Sequence, residues 1–245
     1  MNMQTIELLQ QELPYEINEE LKVLRTNLQF CGTDKRVILF TSASSREGKS
    51  TVSFALCGCF AELGKTVLLI DADMRNSCLV DHVKGEKPQF GLSHLLSGQR
   101  ELKEVIYSTS IQKLHVIFSG AVPPNPSELL SSNHMQRLIE DAQKFYDYII
   151  IDAPPLGLVV DAAVVAPYCD GSLLLIESGE VKYRMAQSVV ALLKNTGRPV
   201  LGVILNKVNR GKGGQYGKYG KYGKYGKYGG RSAYIYGQYT RQEGK

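Results

Sequence analysis

Six runs of consecutive apolar residues punctuate the chain, each the length of one strand: RVILFTS (36–42), KTVLLIDAD (65–73), KLHVIF (113–118), YDYIIIDAP (146–154), GSLLLIE (171–177) and PVLGVILN (199–206). Between them the apolar period changes from continuous to helical, which predicts helices over 49–62, 92–97, 134–145 and 182–195, with another after Pro155. Ahead of the first run, Ile17, Leu21, Leu24 and Leu28 recur at intervals of four, three and four, one face of a helix over 16–30. Strands that are apolar at every position are covered on both faces, and strand–helix–strand succession gives parallel pairing with right-handed crossovers. The pattern therefore predicts an α/β fold with a doubly wound, mainly parallel sheet. It divides the chain into an N-terminal helical segment (1–35), a core (36–207) and a tail (208–245).

Aliphatic content collapses near Val208. Four Tyr-Gly-Lys triplets run from Tyr216 to Lys227, and eight of the 14 tyrosines stand at Tyr216, Tyr219, Tyr222, Tyr225, Tyr228, Tyr234, Tyr236 and Tyr239. Such a segment cannot bury enough apolar surface to offset the entropy of ordering, so a disordered C-terminal tail is expected. The tail also sets the charge balance. Residues 207–245 carry ten Lys/Arg and one Glu, or +9, against +5 for the whole chain, which leaves −4 for the remainder. The basic balance is thus a property of the tail, and no nucleic-acid binding is expected of the core. The five cysteines lie mostly in apolar runs (Cys57, Cys59, Cys169) without paired ligand spacing, which points to a reducing compartment rather than a disulfide or zinc framework. No run approaches the roughly 20 apolar residues of a membrane span and no leader pattern opens the chain, so a cytoplasmic location is expected.

Directly after the first apolar run comes Ala43-Ser44-Ser45-Arg46-Glu47-Gly48-Lys49-Ser50, then Thr51 and a helical stretch. This is the P-loop form with Ala for the first Gly. Successive backbone N–H groups at a helix N-terminus cradle phosphate oxygens, Lys49 would reach the β/γ-phosphates, and the Ser50 hydroxyl would coordinate Mg²⁺. Asp71 and Asp73 close one apolar run and Asp152 closes another. A carboxylate ending a buried strand is costly unless it is paired or metal-bound, helix capping being the other reading. Asn206, at the end of the last run, is either a reader of the adenine edge or part of an ordinary turn.

With these motifs the chain resembles, from about Tyr15 to its C-terminus, the bacterial tyrosine kinases of capsule and exopolysaccharide synthesis, in the form whose kinase is a separate cytoplasmic polypeptide. The resemblance rests on the P-loop through Thr51, LLIDADMR (68–75), IIIDAPP (149–155), GLSHLLSG (91–98), SGAVPPNPSELLSS (119–132) and the tyrosine cluster. It implies a P-loop NTPase core of the partition-ATPase-like type that uses ATP and Mg²⁺ to phosphorylate the tail tyrosines. It also implies activation by the cytoplasmic segment of a transmembrane protein that recruits the kinase to the inner face of the membrane, assembly into a homo-oligomeric ring, reversal by a protein-tyrosine phosphatase, and control of polysaccharide polymerisation and export. By resemblance, Lys49 and residues 43–51 bind ATP, Ser50 is a Mg²⁺ ligand, Asp152 is the Walker B carboxylate, and Asp71 and Asp73 are the family's extra aspartate pair. Of that pair, Asp71 is expected to join Ser50 and Asp152 at the metal and Asp73 to accept the phenolic proton, since a loose phosphoryl-transfer transition state needs only a late proton acceptor. The family's oligomerisation motif Glu-x-x-Arg-x-x-Arg appears as Glu19, Lys22 and Arg25, and the lysine keeps the charge but not the bidentate fork.

Two rival readings follow from the same residues. A partition or septum-positioning ATPase shares the P-loop fold, but those enzymes carry a loop lysine where Ser44 stands here. A polyanion-binding scaffold would explain a basic Tyr/Gly tail without explaining an intact phosphate loop.

Overall fold

The computed structural model describes residues 3–9 and 13–208; the eight tail tyrosines lie outside the described residues. The strands are β1 (Gln4–Leu8), β2 (Val37–Ser42), β3 (Val67–Asp71), β4 (Val83–Lys84), β5 (Ile106–Thr109), β6 (Leu114–Ile117), β7 (Tyr148–Asp152), β8 (Gly171–Glu177) and β9 (Val200–Asn206). They form one sheet in the order β4-β1-β5-β6-β3-β7-β2-β8-β9. Every neighbouring pair is parallel except β1 with β4 and β5 with β6. The helices are α1 (Tyr15–Phe30), α2 (Lys49–Glu62), α3 (Leu92–Leu96), α4 (Leu102–Val105), α5 (Pro126–Leu130), α6 (Asn133–Ala142), α7 (Asp161–Val165) and α8 (Tyr183–Asn195).

Successive side chains of a strand point to opposite faces, and the central strands bury both. Val37 and Leu39 of β2, Leu68 and Ile70 of β3, and Ile149 and Ile151 of β7 pack beneath α6, α7 and α8. The alternate residues Ile38, Phe40, Val67, Leu69 and Ile150 pack against α1 and α2. This is the two-sided burial that the continuous apolar runs require, except in β9, which lies at the sheet edge and leaves Val203 and Leu205 exposed. On α1 the expected face is buried at Leu21 and Leu28, whereas Ile17 at its N-terminal end is 48% exposed.

The same parity positions the acidic residues. Asp71 and Asp152 are direct partners across the β3–β7 ladder. Each follows a residue on the α6–α8 face, Ile70 and Ile151, so both carboxylates emerge on the opposite face, toward the N-terminus of α2. Three strands and the short helices α4 and α5 were not anticipated from the pattern. β1 alternates, with only Ile6 and Leu8 buried, and β4 and β5 are two and four residues long.

Candidate active site

Residues 43–48 join the end of β2 to the start of α2, and the turn is made possible by left-handed backbone at Arg46 (φ 64°) and Gly48 (φ 91°). Only glycine fits at 48, because a Cβ there would also lie 2.4 Å from Asn206 Nδ2. Glu47 points inward and is buried. Its Oε2 accepts hydrogen bonds from the amides of Ala43 at 2.8 Å and Ser44 at 3.0 Å, and its Oε1 from the amide of Glu177 at 3.4 Å. Glu47 therefore braces the loop with its carboxylate. From β9, Asn206 Nδ2 donates to the Glu47 carbonyl at 2.8 Å, while Lys207 Nζ donates to the Arg46 carbonyl at 2.8 Å and pairs with Glu177 at 2.7 Å. The donor half of the Asn206 amide is thus committed to the loop.

Lys49 is the first residue of α2. Its Nζ lies 2.7 Å from Asp152 Oδ1, 3.2 Å from Ser50 Oγ and 4.0 Å from Asp73 Oδ2. Asp71 Oδ1 accepts from the Asp73 amide at 3.1 Å and Asp71 Oδ2 from the Ser77 hydroxyl, while Asp73 Oδ1 accepts from the Asn76 amide at 3.0 Å. Lys49 and all three aspartates are buried. Burial and then the neighbouring Asp152 push the Asp71 carboxyl up to about 7, against the downward pull of Ser77 and Lys49. Burial alone would lower the Lys49 ammonium, but Asp152, Asp73 and Asp71 outweigh it and hold the group above its ordinary value.

Three carboxylates around one ammonium leave a demand for further positive charge. Asp152 Oδ2 is buried without a hydrogen-bond partner, a costly arrangement that a cation would relieve. Among the described residues no group of three His, Cys, Asp or Glu is arranged to hold a metal ion by itself. Mg²⁺ does not require one, since it takes one or two carboxylates and completes its shell with waters and substrate phosphates. The donor set fits that ion and a polyphosphate.

A cavity of about 540 Å³ opens over this cluster. The loop residues from Ser45 to Thr51 line it together with Asp73, Arg75, Pro155, Leu158 and Val159. The segment after β7 is fastened to the base of the phosphate loop. The Leu156 amide donates to the Ser42 carbonyl at 2.9 Å, and Gly157 approaches so closely that a Cβ there would sit 2.0 Å from the Ala43 carbonyl oxygen. A second cavity, about 470 Å³, lies between β1 and α2 around Leu8, Leu13, Phe54 and Ile111 and holds none of the aspartates.

The fold thus brings Lys49, Ser50, Asp71, Asp73, Asp152 and Asn206 together around residues 43–51. It keeps the α1 trio apart from them. Glu19 and Lys22 pair with each other at 2.8 Å on the surface, and Arg25 donates to the carbonyl of Cys59 on α2 at 2.7 Å. Two groups at the site were not singled out from sequence, Ser77 on Asp71 and the ion pair of Arg75 with Asp161. Arg75 stands inside LLIDADMR, which was the available signal, but its partner is 86 residues away.

Residues 35–196 match the family described as an AAA domain. The curated tyrosine-protein kinase CpsD of Streptococcus agalactiae is 42% identical over 191 residues, covering 78% of this chain and 83% of that protein. The kinase domain of the Escherichia coli tyrosine kinase ETK superposes with a TM-score of 0.74 at 36% identity, over 81% of this chain and 78% of that one. The septum site-determining protein MinD of Pyrococcus horikoshii OT3, solved complexed with Mg-ADP, superposes with a TM-score of 0.61 at 27% identity, over 72% of each chain.

Proposed function

The chain belongs to the bacterial tyrosine-protein kinases, and from that premise we propose that it uses Mg-ATP to phosphorylate the tyrosines of its own C-terminal segment. The observation that carries this reading is the cavity lined by Lys49 and Asp73 in a chain that also bears eight tyrosines from Tyr216 to Tyr239. In the cell the activity is set by the cytoplasmic segment of a transmembrane activator, within a ring of like subunits at the inner face of the membrane. A protein-tyrosine phosphatase reverses it, and the cycle governs capsular or exopolysaccharide polymerisation and export. Among the described residues no helix is long and apolar enough to cross a membrane.

The chemistry follows from which groups reach the cavity. The free amides of the loop at the N-terminus of α2 and the Lys49 ammonium receive the phosphates of ATP. Ser50, Asp71 and Asp152 would hold Mg²⁺, which when bound neutralises charge on the phosphate oxygens. A tyrosine phenol has an ordinary pKa near 10 and stays protonated at neutral pH. Asp73, which lines the cavity, takes its proton late in the transfer. The bond from the phenolic oxygen to the γ-phosphorus forms as the bond to the bridging oxygen breaks, and ADP leaves with that electron pair. Such a loose transition state needs positioning and charge neutralisation more than a strong base.

Replacing Lys49 by Met tests the site. Full-length protein incubated with Mg-ATP is expected to lose phosphotyrosine in the segment 216–239 by about a hundredfold or more, read by mass spectrometry, with a thermal unfolding transition confirming the fold. EDTA added to the unchanged protein is expected to give the same loss. Phosphotyrosine that persists in the folded Lys49→Met protein would overturn the assignment.

A further inference from the structure

The phosphate loop is tied to the C-terminal ends of β8 and β9 through Lys207 and Glu177, two residues that no motif singles out. Lys207 follows β9 with left-handed backbone (φ 53°), and Arg46, the residue it reaches, is left-handed as well (φ 64°). Neither is glycine, and such backbone persists only where surrounding contacts hold it. The Lys207 ammonium donates to the Arg46 carbonyl at 2.8 Å and to Glu177 Oε2 at 2.7 Å. Glu177 closes β8 opposite Asn206 of β9, and its amide donates to Glu47 Oε1 at 3.4 Å. Asn206 Nδ2 donates to the next carbonyl of the loop, that of Glu47, at 2.8 Å. Two successive loop carbonyls, those of Arg46 and Glu47, are therefore drawn toward the β8–β9 edge by side chains.

Every peptide bond among the described residues is trans, and in a planar trans unit the N–H points opposite to the C=O. Fixing the Arg46 and Glu47 carbonyls thus turns the N–H groups of Glu47 and Gly48 away from the β8–β9 edge. We propose that Lys207, braced by Glu177, is a positioning residue for nucleotide binding. It holds the Arg46–Glu47 peptide so that the Glu47 N–H, beside that of Gly48, faces the phosphates in the cavity that both residues line. Backbone N–H groups aimed in concert form an anion-binding nest, and the nest is lost when one of them swings away. Lys207 acts through the carbonyl rather than by its charge, because the Glu177 carboxylate offsets the ammonium. Without that contact nothing keeps Arg46 in the left-handed region, and the peptide turns. The proposal rests on the reading that residues 43–51 bind the phosphates of ATP, and adds what keeps them in the binding conformation.

Charge and position predict opposite signs for Glu177. Glu177→Leu removes a negative charge near the phosphates, so by charge alone Mg-ADP would bind more tightly. By position Lys207 loses its brace, and Mg-ADP is expected to bind roughly three- to tenfold more weakly. The measurement is equilibrium dialysis of the full-length chain with two probes, Mg-ADP and adenosine, which carries no phosphate. Lys207→Met is expected to weaken Mg-ADP roughly tenfold, and Lys207→Arg, which keeps a charged donor, to recover most of the loss. Adenosine is expected to stay within about twofold of wild type in all three variants, whereas general loosening of the fold would move both probes. The Lys207 and Glu177 side chains are 46% and 25% exposed, so a thermal unfolding transition close to that of wild type is expected. Mg-ADP affinity equal to or above wild type in Glu177→Leu, or an adenosine affinity that falls in step with Mg-ADP in Lys207→Met, overturns the proposal. Failure of the underlying phosphate-loop reading shows separately, as a Lys49→Met chain that binds Mg-ADP like wild type.

Discussion

Asp71 is the residue at which chemistry and stability oppose each other. It is fully buried beside Asp152 and Asp73, with Lys49 as the shared counter-charge. Its carboxyl is raised to about 7 in the folded chain, above the value near 3.9 of an unfolded aspartate. The native state therefore holds the proton more tightly than the unfolded one. Its stabilising effect is complete below about pH 4 and is lost as pH rises through 7. The full span is at most on the order of 4 kcal/mol. Asp71→Asn removes the penalty while keeping an oxygen for the Asp73 amide and turning an NH2 donor toward the Ser77 hydroxyl oxygen. In EDTA the variant is expected to unfold at a higher temperature than wild type at pH 8, with the gap closing toward pH 4, as circular dichroism would follow. Its kinase activity with Mg-ATP is expected to fall sharply. Equal unfolding temperatures at pH 8 would show that the Asp71 charge is not under strain.

The phosphate loop and the segment after β7 work as one element because Gly157 packs against Ala43. Gly157→Ala forces a methyl group to within 2.0 Å of a carbonyl oxygen, so the two segments must separate. The expected cost is about 1–3 kcal/mol in urea unfolding, accompanied by weaker binding of a fluorescent ADP analogue; a variant of wild-type stability would show that the contact yields freely. This element also shows what could be read beforehand. β2, β3, β7 and β8 were visible because both faces are buried and the runs are continuously apolar, and Asp71 and Asp152 were visible because they end such runs. β4 and α4 were not, since two residues and four carry no measurable period. β1 was missed for a different reason: it is an alternating strand buried only at Ile6 and Leu8. At the site, the inward turn of Glu47 depends on backbone dihedrals that no residue pattern encodes, and Arg75 meets Asp161 only because the fold brings the segment after β3 to the start of α7.

At the scale of the whole molecule the charges are segregated along the chain. Residues 207–245 carry +9 and the rest −4, and the tyrosines lie in the basic part. Each phosphate adds about −1.5 to −2 charges at neutral pH, so modifying all eight tyrosines takes that segment from +9 to roughly −3 to −7. Any electrostatic attraction of the basic segment to the acidic part would then be reversed. Interactions between exposed charges are screened beyond roughly 10 Å at 0.1 M salt, which separates this effect from any apolar contribution to assembly. Dephosphorylated protein is accordingly expected to sediment as larger species at low salt and to shift toward smaller ones as salt is added. Fully phosphorylated protein is expected to sediment as the smaller species throughout. If the two forms give the same distribution at low salt, charge reversal does not control assembly.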